Sequence, residues 1–257
     1  MCHGPSAGHG RAVDNMIALI IAGFVAGAMN AVAGGGSFVT IPVLIALGLP
    51  SVSANATSCV ALWPGGVASA TAYRHDLRRV ADLPFSVMLL VTLAGGAAGA
   101  ALLLATPERL FDAALPWLLL VATIALVLAP RLQAQFALPH RALLAGQFLL
   151  GVYGGYYGGA VGLMMLAMWS LIDRTDIKAL AGVRTLMVSA ANGIAILAFA
   201  LAGLVDWTAA LLLGAGALGG GYAGARLGQR LAPTIVRAAT LALCAAITLA
   251  FFIRTYR

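Results

Sequence analysis

The sequence predicts an all-α polytopic membrane protein made of two inverted repeats, each a broken, re-entrant helical hairpin plus three transmembrane helices. Three observations predict it. Of 257 residues, 62% are hydrophobic and only 9% charged, where soluble domains carry about 25% charge; no solvated shell can be built from this chain, so its first partner is the lipid bilayer. Two long apolar stretches are interrupted by glycine clusters near their middles. A pattern of small residues recurs, in order, between the two halves.

In chain order, residues 1–15 (MCHGPSAGHGRAVDN) form a polar leader. Cys2, His3 and His9 lack the spacing of a metal site, and a disordered leader is expected. Arg11, the apolar run after it and the Ala31-Val32-Ala33 end resemble a cleavable signal, but the polytopic remainder favours a retained first helix. The first repeat, 16–130, holds a broken stretch at 16–48 and spans at 54–73, 83–105 and 111–130, each near the roughly 20 residues a helix needs to cross lipid. A cytoplasmic linker is expected at 131–140. The second repeat, 141–257, holds a broken stretch at 141–172 and spans at 179–205, 207–225 and 235–253. Each broken stretch is too long for one span and too short for two. Each therefore reads as two shorter helices joined by a glycine turn, at Gly34-Gly35-Gly36 and at Gly154-Gly155 with Gly158-Gly159.

Gly27, Gly34, Thr57 and Gly65 recur at equal spacing as Gly155, Gly162, Thr185 and Gly193, and GGAAGA at 95–100 matches GGYAGA at 220–225. The net charge of +7 is not read as a nucleic-acid signal, because the basic residues sit in short loops, where they orient a membrane protein. Arg74, Arg78, Arg79, Arg131, Arg141, Arg174, Lys178, Arg226, Arg230 and Arg237 define a cytoplasmic side. The loops near 48–53, 104–110 and 204–207 define the other. Each hairpin then begins and ends on one face, and the three remaining spans invert the second half. Arg11, Arg254 and Arg257 break the rule, and eight or nine ordinary spans is the alternative.

Broken backbone survives at membrane depth only when it is buried in protein or lines a wet cavity. Free N–H groups at the tip of a half-helix favour an anion. Asn30, Gly34, Gly35, Gly36 and Ser37 are thus candidate ligands, with Gly158 and Gly159 as counterparts in the second half. After each hairpin comes a weakly apolar helix. Asn55 and Ser58 share a face of the first; Thr185, Ser189 and Asn192 share a face of the second, bordered by Arg184. An arginine inside a span is costly and marks a pathway or a pair; an anionic substrate could be held by its guanidinium. The competing reading makes the small residues packing surfaces, the asparagines interhelical bonds, and lets Arg184 reach the interface on its long stem. With no Asp or Glu deep in a predicted span, proton movement would have to travel with the substrate.

Residues 23–61, with the glycine cluster, Pro42 and the Asn55-Ala56-Thr57-Ser58 run, resemble the sulfite exporter TauE/SafE family; GVYGGYYGGAVGLMML at 151–166 supports the likeness. Leu163-Met164-Met165 stands where further small residues would be expected. The resemblance implies a multi-pass permease of the bacterial cytoplasmic (inner) membrane that moves sulfite, a sulfonate or a related small anion, commonly outward, with Thr57 and Ser58 in the motif that carries the site. It implies no cofactor and no metal; a homo-oligomer stays open. The alternatives are a channel-like or uptake permease for another small anion, an intramembrane enzyme using Ser37, and a membrane assembly factor. An enzyme would need a base near Ser37, and no His or Lys falls in a predicted span.

Overall fold

A computed structural model describes residues 6–33, 35–72, 83–128, 139–170, 177–230 and 233–257. The regular elements among them are helices: α1 (Ser6–Ala33), α2 (Ser37–Ala46), α3 (Ser51–Ala72), α4 (Phe85–Ala105), α5 (Glu108–Leu128), α6 (His140–Tyr156), α7 (Val161–Ser170), α8 (Ile177–Leu201), α9 (Trp207–Arg230) and α10 (Pro233–Tyr256). The six unbroken spans expected from the sequence are α3, α4, α5, α8, α9 and α10, displaced by a few residues at their ends. Segments of α1, α4, α5, α8 and α10 are long and apolar enough to cross a membrane. The 22-residue α3 and 24-residue α9 match them in length but carry more polar and glycine positions. Both pack among other helices: α3 against α2, α8 and α9, and α9 against α1.

Two expectations are corrected. The first broken stretch is not two short helices. α1 has 28 residues, about 42 Å at 1.5 Å per residue, and only α2, with 10 residues, is half-length. α1 begins at Ser6, so the helix runs through Gly8 and Gly10 ahead of the apolar run. In the second stretch, Gly154 and Gly155 lie inside α6, and the break falls at 157–160. Gly155 is needed instead for packing, since a Cβ there would strike the Gly96 carbonyl. The pattern is one long arm and one 10-residue return, α1 with α2 and α6 with α7.

The glycine stripes seat two helix pairs backbone to backbone. Cβ atoms placed at Gly23, Gly27, Gly216, Gly220 and Gly224 would meet Leu213, Ala217, Ile20, Phe24 and Ala28, mostly at main-chain atoms. Rising numbers in α1 meet rising numbers in α9, so this pair is parallel. Gly95 and Gly99 of α4 likewise meet Phe148, Gly151, Val152 and Tyr156 of α6, a second parallel pair. Small residues supply such contact where lipid gives helices no hydrophobic reason to associate. The pairs of α4 with α8 and α3 with α9 run parallel as well, whereas α3 with α8 and α5 with α10 are antiparallel. Gly66 of α3 lies at Ser189 of α8 and Trp63 at Gly193; Trp117 and Thr123 of α5 bond Tyr256 and Thr248 of α10.

The interior is filled by Phe38, Ile41, Leu44, Phe111, Leu115, Phe199 and Leu213, while Leu90, Leu149, Leu201, Leu211 and Leu249 are exposed as a lipid-facing surface would be. The loops near 48–53 and 104–110 meet: the Ser51 hydroxyl and the Val52 N–H both donate to Glu108 Oε1, at 2.7 and 2.8 Å. The Asp206 N–H donates to Thr57 Oγ1 at 3.0 Å, bringing the start of α9 to the same end of α3. Arg74, Arg78, Arg79, Arg131 and Arg174, which carried the charge argument, lie outside the described residues. The side chains of Lys178, Arg230 and Arg237 lie outside them too.

Candidate functional site

The two breaks meet beside the middle of α3. Gly36 stands against Leu62, and Gly158 against Cys59. A Cβ on Gly159 would lie 2.9 Å from Ser37 Oγ and would overlap the Tyr157 ring. Glycine at 159 is therefore what lets the second break touch the start of α2. Gly158 takes φ +77, and Ala160, the non-glycine residue with positive φ among the described residues, takes φ 57. A left-handed alanine costs about 1–2 kcal/mol and is held here by packing, as Ala160 is buried. Such strain is characteristic of functional loops.

Local chemistry fixes both turns. At the first, the Gly36 N–H donates to Asn30 Oδ1 at 3.4 Å, and the N–H groups of Phe38, Val39 and Thr40 return to Gly35 and Gly36 carbonyls. The α2 side also carries a Thr40–Ser58 hydroxyl pair. At the second, Asn55 Nδ2 donates to the Tyr156 carbonyl at 2.9 Å, tying α3 to the end of α6. Both half-helices begin where the breaks meet, α2 at Ser37 and α7 at Val161. Two positive helix ends thus approach one region from the two halves of the chain.

Unpaired polar atoms collect there. Asn55 is 1% exposed and Ser189 9%, yet among the described residues Asn55 Oδ1, Ser189 Oγ and Asn192 Oδ1 have no hydrogen-bond partner, while the buried Tyr157 hydroxyl faces that of Ser37. Tyr157 lies beside Ser37, Cys59 and Cys244. Asn192 Oδ1 is 3.5 Å from where a Cβ of Gly158 would be, and Ser189 Oγ is 3.2 Å from that point at Gly66. A buried polar group without a partner costs about 1–3 kcal/mol. Several around one glycine-lined spot are chemically apt to bind a small polar ligand.

The candidate residues divide by position. Gly35, Gly36, Ser37, Asn55, Gly158, Gly159 and Asn192 come together at the breaks, and Ser189 lies about one turn from Asn192 along α8, facing Gly66 of α3. Asn30 braces the first turn. Thr57 is engaged at the start of α9, where Asp206 Oδ1 also caps the helix by accepting the Ala209 N–H at 2.9 Å; Ser58 is engaged with Thr40. Arg184 is half-buried on α8, its Cδ 3.3 Å from the Cβ position of Gly162 in α7; Thr185, beside it, is also half-buried. Gly34 lies outside the described residues. Sequence reasoning passed over Tyr157 and Trp63, whose Nε1 donates to the Ser189 carbonyl at 2.9 Å. Tyr157 directly precedes Gly158-Gly159, the signal that could have found it. Among the described residues, no group of three or more His, Cys, Asp or Glu side chains could hold a metal ion.

The family model for "Sulfite exporter TauE/SafE" matches residues 19–251. A probable membrane transporter protein of Haemophilus influenzae is 29% identical over 231 residues, covering 88% of this chain and 89% of that protein. The probable membrane transporter protein ORF9 of a Sinorhizobium species is 31% identical, covering 83% and 82%. Escherichia coli K12 YfcA, also named a probable membrane transporter protein, is 31% identical, covering 83% and 79%. No solved structure matches the chain. With the helical architecture and a family match spanning nearly its whole length, the chain belongs to the sulfite exporter TauE/SafE family of membrane transporters.

Proposed function

We propose that this transporter moves a small sulfur-containing anion, sulfite or an organosulfonate, outward across a bacterial cytoplasmic membrane by alternating access around the two breaks. The observation that carries the proposal is the meeting of Ser37 and Gly159, with the starts of two half-helices around it and the unpaired buried oxygens of Asn55, Ser189 and Asn192 on the flanking helices α3 and α8. Helix N-termini and hydroxyl donors suit an oxyanion, and the glycines let it approach the backbone. Arg184, one side of whose stem rests over the start of α7, supplies positive charge along the route. The family description supports sulfur chemistry.

Inversion of the two halves belongs to the same proposal. It is supported by the antiparallel packing of α3 with α8 and of α5 with α10, because these are equivalent helices of the two halves. The exchange of equivalent contacts, α1 with α9 and α6 with α4, supports it further. Rocking one half against the other would then expose the shared centre to each side in turn. The test is flux of labelled sulfite, sulfate, thiosulfate and methanesulfonate in proteoliposomes holding the purified protein. Movement of at least one sulfur anion above protein-free vesicles is expected; movement of none would refute the proposal.

A further inference from the structure

We propose, resting on the function just proposed, that the site takes its anion as a monoanion still carrying an acidic proton, such as hydrogen sulfite, and discriminates against both dianions and proton-free monoanions. Among the described residues, Asn55 carries the one acceptor at the site whose orientation is fixed. Its Nδ2 donates to the Tyr156 carbonyl, which fixes the amide orientation, since a flipped amide would set two acceptors against each other. The remaining atom, Oδ1, is then an acceptor only. It is buried beside the second break with no donor.

The other groups at the site donate or do either. Tyr157, Ser37 and Ser189 offer hydroxyls, Asn192 offers an amide, and the start of α7 offers N–H groups. These suit the oxygens of an anion. Asn55 Oδ1 suits the one part of the ligand that is not an acceptor, a hydroxyl proton. A dianion such as sulfite or sulfate cannot fill that position and would set charge against a carbonyl dipole. Methanesulfonate has the right charge but no proton to give. A site built to bond a ligand proton leaves its own acceptor unpaired when the proton is missing, and it discriminates accordingly.

No protein carboxylate is needed for this. Among the described residues, the titratable or charged side chains around the breaks are Cys59 of α3, Tyr153 and Tyr156 of α6, Tyr157 after it, Cys244 of α10 and Arg184 of α8. Glu108 at the start of α5 is engaged by Ser51 and Val52, and Asp206 at the start of α9 caps its own helix. The proton therefore crosses on the substrate. Moving one hydrogen sulfite ion carries one net negative charge and is equivalent to moving one sulfite dianion with one proton.

The test uses the full-length protein in phosphatidylethanolamine–phosphatidylglycerol vesicles, with rates taken above protein-free vesicles. Labelled sulfite at fixed total concentration is followed as pH is stepped through its second ionisation, and methanesulfonate, which does not titrate there, is followed in parallel. Sulfite flux should fall about tenfold per pH unit above that ionisation, following the protonated fraction. Methanesulfonate flux should stay flat with pH and be slower than hydrogen sulfite by about tenfold or more. In Asn55→Leu the preference for hydrogen sulfite over methanesulfonate should collapse, and Asn192→Leu should reduce it less. Sulfite flux that rises with the dianion, or methanesulfonate moving as fast as hydrogen sulfite, would overturn the inference and leave the proposed function standing. Absence of flux for every sulfur anion at every pH would overturn both.

Discussion

Ser37 and Gly159, one from each half of the chain, meet: Ser37 Oγ lies 2.9 Å from where a Cβ on Gly159 would be, and the Tyr157 ring closes the rest of that space. Ser37 is buried at 8% exposed, and its hydroxyl lies beside Tyr157. Ser37→Ala removes the hydrogen-bonding group and little volume. We expect sulfur-anion flux to fall about tenfold or more, with membrane insertion and thermal midpoint in detergent little changed. Unaltered flux would show that Ser37 only packs.

Gly155 has a different task. Its Cβ position coincides with main-chain atoms of Gly96, so Gly155→Leu must push α4 and α6 apart. Overpacking costs about 1–3 kcal/mol, and here the obstacle is backbone that cannot rotate away. A clear drop in the thermal midpoint, with loss of monodispersity in detergent, is the expected result.

The Asn55 side chain also holds the second break. Asn55→Ala removes its bond to the Tyr156 carbonyl and leaves that carbonyl buried and unpaired, a loss of about 1–3 kcal/mol. Hydrogen exchange of the amides at 157–160 should speed up relative to those of α4. Equal exchange would mean that the bonds of the Tyr157 and Gly158 N–H groups to the Tyr153 carbonyl and the packing of Ala160 hold the turn without Asn55.

Glu108 serves the scaffold rather than the breaks themselves. It accepts both the Ser51 hydroxyl and the Val52 N–H, fastening the start of α3 to α5. Glu108→Ala should lower stability by about 1–3 kcal/mol, read as a lower thermal midpoint, while flux per folded molecule holds.

Much of this architecture was legible in the sequence, because lipid makes length and apolarity decisive. The six unbroken spans and the first glycine break follow from that alone. What was hidden depends on which neighbour a small residue meets. Gly154-Gly155 and Gly158-Gly159 look alike in sequence, yet the first pair continues α6, with Gly155 against α4, while the second ends the helix, with Gly158 at φ +77. Thr57 and Asn55 both read as polar groups in a span. The Thr57 hydroxyl accepts the Asp206 N–H, whereas Asn55 keeps an unpaired oxygen. The Tyr157 ring was invisible as a site element because an aromatic beside glycines in an apolar run reads equally as a lipid-facing residue.

The central claim is that substrate passes where the two breaks touch, and sulfite flux through Gly159→Leu in proteoliposomes tests it most directly. Gly65→Leu serves as the control, since a Cβ at Gly65 meets nothing within 4 Å. The account predicts flux at the protein-free level for Gly159→Leu, with normal insertion, and wild-type flux for Gly65→Leu. Wild-type flux through a correctly inserted Gly159→Leu protein would contradict it.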